Sequence, residues 1–146
     1  MAKKLMTVVH LYNNDQILLA MKKRDFGVGL WNGYGGKVQP GESVMDGALR
    51  ELQEESGLRT EIVPAGILTF YFKGNELEIH YFRNSNFSGM AIETEEMAPQ
   101  WFNLAAIPYG KMWPSDTIWL PKFLAGEKLS GEFWLRDDGT VEKYIM

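Results

Sequence analysis

At 146 residues the chain fits a single domain over 1–146, and a domain of that size buries roughly 68–70% of its unfolded surface without staples. A net charge of −4 and a pI near 5.2 argue against a broad basic surface for duplex nucleic acid, but leave open a small phosphorylated ligand, which answers to local charge. The absence of cysteine excludes disulfides and thiolate-held zinc. No run reaches the length of a membrane span, and Lys3-Lys4 precede only a short apolar stretch, so a cytoplasmic protein with no membrane role is expected.

Leu5 to Tyr12 is apolar and β-branched, and Asn13-Asn14-Asp15 breaks it before a second strand-like run from Gln16 to Met21. The two read as a hairpin. Arg24 to Gly36 is turn-rich, and Pro40-Gly41 adds another turn. Ser43 is placed as a helix N-cap, with Asp46 three residues on, so the pattern predicts a helix over 44–55 that Gly57 ends in the C′ position. On that helix Val44, Met45, Ala48, Leu49 and Leu52 share an apolar arc. Gly47 costs the helix about 1 kcal/mol relative to alanine, so it is expected to make room for a ligand or neighbouring backbone, or simply to pack.

Beyond the helix, 60–72 and 77–87 read as strands around the Lys73-Gly74-Asn75 turn, 91–97 as an acidic segment, and 99–103 as a short strand or bend. Trp113-Pro114-Ser115-Asp116 marks the start of a second helix, with Ser115 or Asp116 as cap. Pro121 predicts a kink or an early break in it. The runs 132–135 and 140–145 form a closing hairpin around Asp137-Asp138-Gly139. A mixed sheet with two helices gives an α+β class, arranged as an α/β/α sandwich.

Glu51, Glu54 and Glu55 fall at i, i+3 and i+4 of the first helix, after a glycine-rich turn (Gly33, Gly35, Gly36, Gly41). Three carboxylates on one helix face repel one another unless a cation joins them, so the pattern suggests a divalent metal beside phosphate. A solvated acidic face is the plain alternative for three acids alone. The wider segment, however, fits G-x5-E-x7-R-E-U-x-E-E-x-G-U, with U aliphatic, at Gly36, Glu42, Arg50, Glu51, Leu52, Glu54, Glu55, Gly57 and Leu58. With typical residue usage this match arises by chance on the order of 10⁻⁹ per start position. The segment resembles the Nudix box. Met21-Lys22-Lys23-Arg24, Phe26-Gly27, Trp31-Asn32-Gly33 and Met112-Trp113-Pro114 are similar to the mammalian MutT-homologue branch of that family, which removes oxidised purine nucleoside triphosphates.

The resemblance implies the Nudix fold and metal-dependent hydrolysis of nucleotides such as 8-oxo-dGTP to the monophosphate and pyrophosphate. It implies Mg²⁺, or Mn²⁺, held by Glu51, Glu54, Glu55, Glu96 and the Gly36 carbonyl, since these ions take hard oxygen ligands. Arg50 is expected to orient Glu51 or Glu54 rather than touch substrate, and Glu42 to pair with a basic residue and hold the loop. Lys22 and Lys37 are carried to the phosphates. Asn32, Trp113 and Asp116 are carried to the base, and Phe26, Phe70 and Met97 to the pocket walls. Thr7, Tyr34 and Gly35 complete the implied substrate contacts. Bland readings stand beside several of these: Asn32 as a turn former, Asp116 as a helix cap, Phe70 and Met97 as core, Lys22 as a surface lysine, and Glu96 as part of a surface charge run. Two positions depart from the branch. Ser115 replaces the first of two adjacent aspartates, which puts a wide purine range in doubt, and Tyr34 replaces a phenylalanine. Because the box reads a diphosphate and not the group attached to it, another nucleoside triphosphate or a nucleoside diphosphate derivative is the alternative substrate. A nucleotide-sensing module without catalysis is the non-enzymatic alternative. A monomer is expected.

Overall fold

The fold follows from strands whose two faces are both apolar. In β1 (Ala2–Tyr12) and β2 (Gln16–Lys22), Val9, Leu11, Leu18 and Ala20 point to one side of the sheet, and Tyr12, Ile17 and Leu19 to the other. Such strands must be covered twice. The computed structural model describes residues 2–146 and shows this arrangement. The further elements are β3 (Trp31–Asn32), β4 (Tyr34–Lys37), α1 (Val44–Ser56), β5 (Val63–Phe72), β6 (Asn75–Asn84), β7 (Met97–Asn103), α2 (Asp116–Leu124), β8 (Leu129–Leu135) and β9 (Val141–Ile145). Ala48 and Leu52 of α1 close one core with Tyr34, Phe82 and Met97. Trp119, Leu120 and Phe123 of α2 close the other with Leu68, Phe70, Tyr81 and Phe133.

The sheet runs β3-β2-β1-β6-β5-β8-β9, with β4 paired to β1 and β7 to β2. Pairings β1–β6 and β5–β8 are parallel and the rest antiparallel. The expected first hairpin is short. Only Leu11–Leu18 and Tyr12–Ile17 pair; β2 then diverges to β7 and β3, and β4 takes over the edge of β1, with Thr7 opposite Gly36 and Val8 opposite Gly35. That splaying opens the mouth in which the candidate site lies.

Helix α1 matches its sequence signals. The Ser43 hydroxyl accepts from the Asp46 N–H at 3.0 Å, and Gly57 sits at φ +74° with its N–H on the Gln53 carbonyl. One position on the wheel differs: Leu49 is 36% exposed, because it falls at the rim of the arc that α1 presents to β4. Several bounds also move. The turn-rich stretch holds β3 and β4, β5 begins at Val63, β6 ends at Asn84, β7 starts at Met97, and β8 starts at Leu129. In α2, Ser115 occupies the cap position but its side chain makes no cap hydrogen bond. Pro121 does not end the helix, which continues to Leu124.

Arg83 anchors the far end of α2. Its buried guanidinium donates to the Tyr12 hydroxyl and to the Phe123 and Glu127 carbonyls, and lies 4.2 Å from the Phe123 ring centroid. A charged donor on the open carbonyls of a helix C-terminus is stabilising. Arg83→Met leaves those carbonyls unpaired and is expected to cost about 2 kcal/mol. Urea denaturation reads the loss, and an unchanged midpoint would contradict it.

Candidate active site

The carboxylate end of the site is built by α1 against β4. A Cβ at Gly35 would come 1.8 Å from the Thr7 carbonyl oxygen, so only glycine lets β4 close on β1 there. A Cβ at Gly36 would come 2.8 Å from the Glu51 carboxyl, which therefore lies against bare backbone. The Gly35 N–H donates to Glu55 at 3.0 Å.

Arg50 is the hub. Its fork holds Glu42 through Nε (3.0 Å) and Nη2 (2.7 Å), its Nη1 reaches Glu51 at 2.9 Å and Glu54 at 3.2 Å, and Nη2 also donates to the Lys37 carbonyl. The Arg50 guanidinium, helped by the Gln39 N–H, pulls the Glu42 carboxyl down to about 2. Glu42 thus ties the loop before α1 to the helix. Gly47 belongs to the same device. A Cβ there would come 3.0 Å from Glu42 Oε1, so the glycine makes room for that carboxylate and not for a ligand. Arg50→Lys keeps the charge and loses the fork. The expected result is a 10- to 100-fold fall in kcat together with a weaker activation by metal. Both are read from kinetics over a cation titration, and parental values for both would remove the orienting role.

Glu55 is only 4% exposed, although it shares the acidic arc with Glu51 and Glu54. Burial first, then the nearby charges of Glu51 and Glu96, push its carboxyl up to about 7 against the Gly35 hydrogen bond and Lys22. Burial also raises Glu51, opposed by Arg50. Glu96 is held differently. It takes hydrogen bonds from Lys22 (3.2 Å) and Arg24 (2.8 Å), and Arg24 above all holds it below the usual carboxylate range. Among the described residues no three carboxylate or imidazole groups are gathered into a ready cage, and Arg50, Lys22 and Arg24 hydrogen-bond to Glu51, Glu54 and Glu96. The donor set nevertheless fits a hard divalent cation. It consists of carboxylate oxygens, crowded, partly desolvated and mutually repelling.

From this end a cavity of about 610 Å³ runs between the helices' layers. Its lining includes Thr7, Lys22, Phe26, Asn32, Gly35, Gly36, Lys37, Glu55, Phe70, Met97, Trp113 and Asp116. Glu51, Glu54, Arg50 and Glu96 stand outside that lining, as does Tyr34, which is buried in the α1 core with its hydroxyl unpartnered. The Tyr34 hydroxyl is thus a core group near Glu55 and not a cavity contact, and burial raises its pKa. Phe26, 61% exposed, stacks on Trp113 with centroids 5.2 Å apart, and Phe72 meets both rings. These aromatics form the mouth. Asn32 spends one amide N–H on the Leu30 carbonyl at 3.0 Å, which leaves its oxygen and second N–H free. Asp116 is 7% exposed, and burial lifts it to about 7, so near neutral pH it can accept or donate. The indole N–H of Trp119 leans toward it and favours the carboxylate, but the geometry falls short of a hydrogen bond and Nε1 has no partner. The sequence reading missed His10, Tyr81, Met112 and Trp119, which also line the cavity. The available signals were the period-2 face that His10 shares with Val8 and Tyr12, and the helical spacing of Trp119 from Asp116.

Residues 3–123 match the NUDIX domain family, and the chain belongs to the Nudix hydrolases. It is 44% identical over 146 residues to the oxidized purine nucleoside triphosphate hydrolase of Mus musculus, covering 98% of this chain and 94% of that one. The protein of the same name from Danio rerio is 44% identical over 144 residues, covering 97% and 92%. In fold the chain is similar to the MutT protein of Bacillus halodurans, with a TM-score of 0.82 at 24% identity, covering 97% of this chain and 96% of that chain. Nudix hydrolases generally use divalent metal cations, and a small nucleotide substrate fits them. Among the described residues no helix is long and apolar enough to cross a membrane.

Proposed function

We propose that this chain acts as one catalytic domain, a monomeric cytoplasmic enzyme that cleanses the nucleotide pool. It hydrolyses oxidised purine (deoxy)nucleoside triphosphates such as 8-oxo-dGTP to the monophosphate and pyrophosphate. The observation that carries the reading is one cavity joining a carboxylate-and-glycine end to an aromatic end closed by Asn32 and Asp116. The names of the mouse and zebrafish relatives support the same substrate class.

Glu51, Glu54, Glu55, Glu96 and the Gly36 carbonyl would hold magnesium, with manganese as a substitute. Bound there, the ion supplies polarisation of phosphoryl oxygens and acidification of water. Arg50 fixes the rotamers of Glu51 and Glu54. Lys22 and Lys37 offset phosphate charge, and Gly35 and Thr7 line the path of the triphosphate. The base lies in the slot of Phe26, Phe70, Met97 and Trp113, where flat apolar walls favour stacking. Asn32 and Asp116 meet its polar edge. Tyr34 packs in the core between α1 and the sheet.

Steady-state kinetics on 8-oxo-dGTP and dGTP with magnesium test the reading. Higher kcat/KM on the oxidised form is expected, and chelation should abolish turnover. Equal or lower efficiency on 8-oxo-dGTP would remove the substrate assignment. Pyrophosphate release from a different nucleotide in a wider panel would replace it.

A further inference from the structure

Thr94 has no role in the assignments above and does not line the cavity, yet its hydroxyl ties together two halves of the carboxylate end. Helix α1 ends at Ser56, and its last carbonyls have no partner inside the helix. The segment before β7 supplies partners. The Ile92 N–H donates to the Ser56 carbonyl at 2.9 Å, and the Thr94 hydroxyl donates to the Glu55 carbonyl at 3.1 Å. The same hydroxyl oxygen accepts from the Glu96 and Met97 N–H groups, each at 3.3 Å. The Thr94 N–H closes the bend on the Met97 carbonyl at 3.0 Å. Lys23, just past β2, holds the same bend: its N–H donates to the Glu96 carbonyl and its ammonium to the Thr94 carbonyl, both at 2.9 Å.

One oxygen thus joins the backbone of Glu55 to the backbone of Glu96. In the proposed function these two carboxylates, one from α1 and one from the segment before β7, hold the same cation, and their charges repel each other. Repelling ligands on separate elements drift apart unless their spacing is fixed, and the groups behind metal ligands set affinity as well as the ligands do. We propose that Thr94 is a positioning residue for the cation: its hydroxyl sets the spacing between Glu55 and Glu96 before the ion arrives. Threonine suits this task. Its hydroxyl donates once and accepts twice, and its branched Cβ restricts the rotamer that aims it. Lys22 and Arg24 hold the Glu96 carboxylate, while Thr94 holds the backbone from which that side chain extends.

The inference rests on the metal assignment of the proposed function, yet its test does not need turnover. Mn²⁺ alone is added to the parent, Thr94→Val and Thr94→Ser, and uptake is followed as loss of the free-ion paramagnetic resonance signal, well below each melting temperature. Valine keeps the shape and removes both donor and acceptor. Thr94→Val is expected to weaken Mn²⁺ binding about ten-fold or more, and Thr94→Ser, which keeps the hydroxyl, to restore it. In a Glu96→Ala background the valine substitution should change affinity by less than about two-fold, because a spacing with one of its two ligands gone has nothing left to set. Thr94→Ala also removes the hydroxyl and decides the matter if Thr94→Val does not fold. A threonine that only closes the end of α1 would lower the melting temperature and leave Mn²⁺ affinity unchanged, or weaken it equally with and without Glu96. Either result, or a serine variant as weak as the valine one, would overturn the proposal. Failure of the metal assignment itself would show separately, as a parent that takes up no Mn²⁺.

Discussion

Glu55→Gln is expected to lower turnover by at least about 10³-fold and to leave the fold intact or stabilised. Glutamine keeps the shape and still accepts the Gly35 N–H, so the β4–α1 contact survives. What it removes is a buried carboxylate whose charged form is disfavoured by burial and by Glu51 and Glu96. For stability that removal is neutral or favourable. For catalysis it deletes what the proposed function makes an anionic oxygen ligand, and the charge stabilisation supplied at such a site is several kcal/mol, with each 1.36 kcal/mol worth tenfold. Opposite signs for activity and melting temperature separate this outcome from mere unfolding. Glu54→Gln is the companion. That side chain is 59% exposed and rests on Arg50 alone, so stability should hardly move while turnover falls by orders of magnitude. Near-parental turnover in both variants, measured with saturating magnesium, would sink the metal assignment.

The contrast between these two glutamates marks where sequence stops. The box fixes Glu51, Glu54 and Glu55 on one arc because helical spacing is local, and Ser43 and Gly57 bound that helix by local capping. Burial is not local. Glu55 lies under Gly35 because β4 crosses β1 at a point where only glycine fits, a fact spread over two strands and a helix. β4 itself was hidden for the same reason, since a strand reading Tyr-Gly-Gly-Lys carries turn residues and little β-propensity. Asn32, Trp113 and Asp116 were reachable through resemblance, but the wall behind them was not. His10, Tyr81 and Trp119 come from β1, β6 and α2, and period-2 or helical spacing gives each only a face, while the wall they share is made by three elements distant in sequence. Arg50 was legible as a partner of Glu51 and Glu54. Glu42 was expected to pair with a basic residue, but that the residue is Arg50, with Gly47 making the space, emerges only from the fold.

Asp116→Asn should abolish one specific pH dependence and most of the base recognition. In the folded protein this carboxyl is lifted from 3.8 to about 7 by burial. A raised acid binds more protons in the native than in the unfolded state between those values, so its contribution favours folding at low pH and is lost as pH rises through about 7. A shift of about three units corresponds to at most about 4 kcal/mol. At a few degrees per kcal/mol for a domain of this size, the melting temperature of Asp116→Asn should gain on the parent by up to about 10 °C between pH 5 and pH 8. His10 and Glu55 also titrate abnormally, but both are present in each protein and cancel in the difference. The neighbouring phenols of Tyr81 and Tyr109 are raised above their ordinary value and stay neutral throughout this range. Activity should move the other way. The parent's kcat/KM for a base that accepts a proton from Asp116 falls as pH passes about 7. The asparagine variant, about 10²-fold or more weaker because a site built for a hydrogen bond rejects the wrong partner strongly, should show no such inflection. Parallel melting curves from pH 5 to 8, or the same inflection in both proteins, would mean that Asp116 is a charged first-turn residue of α2 that takes no part in reading the base.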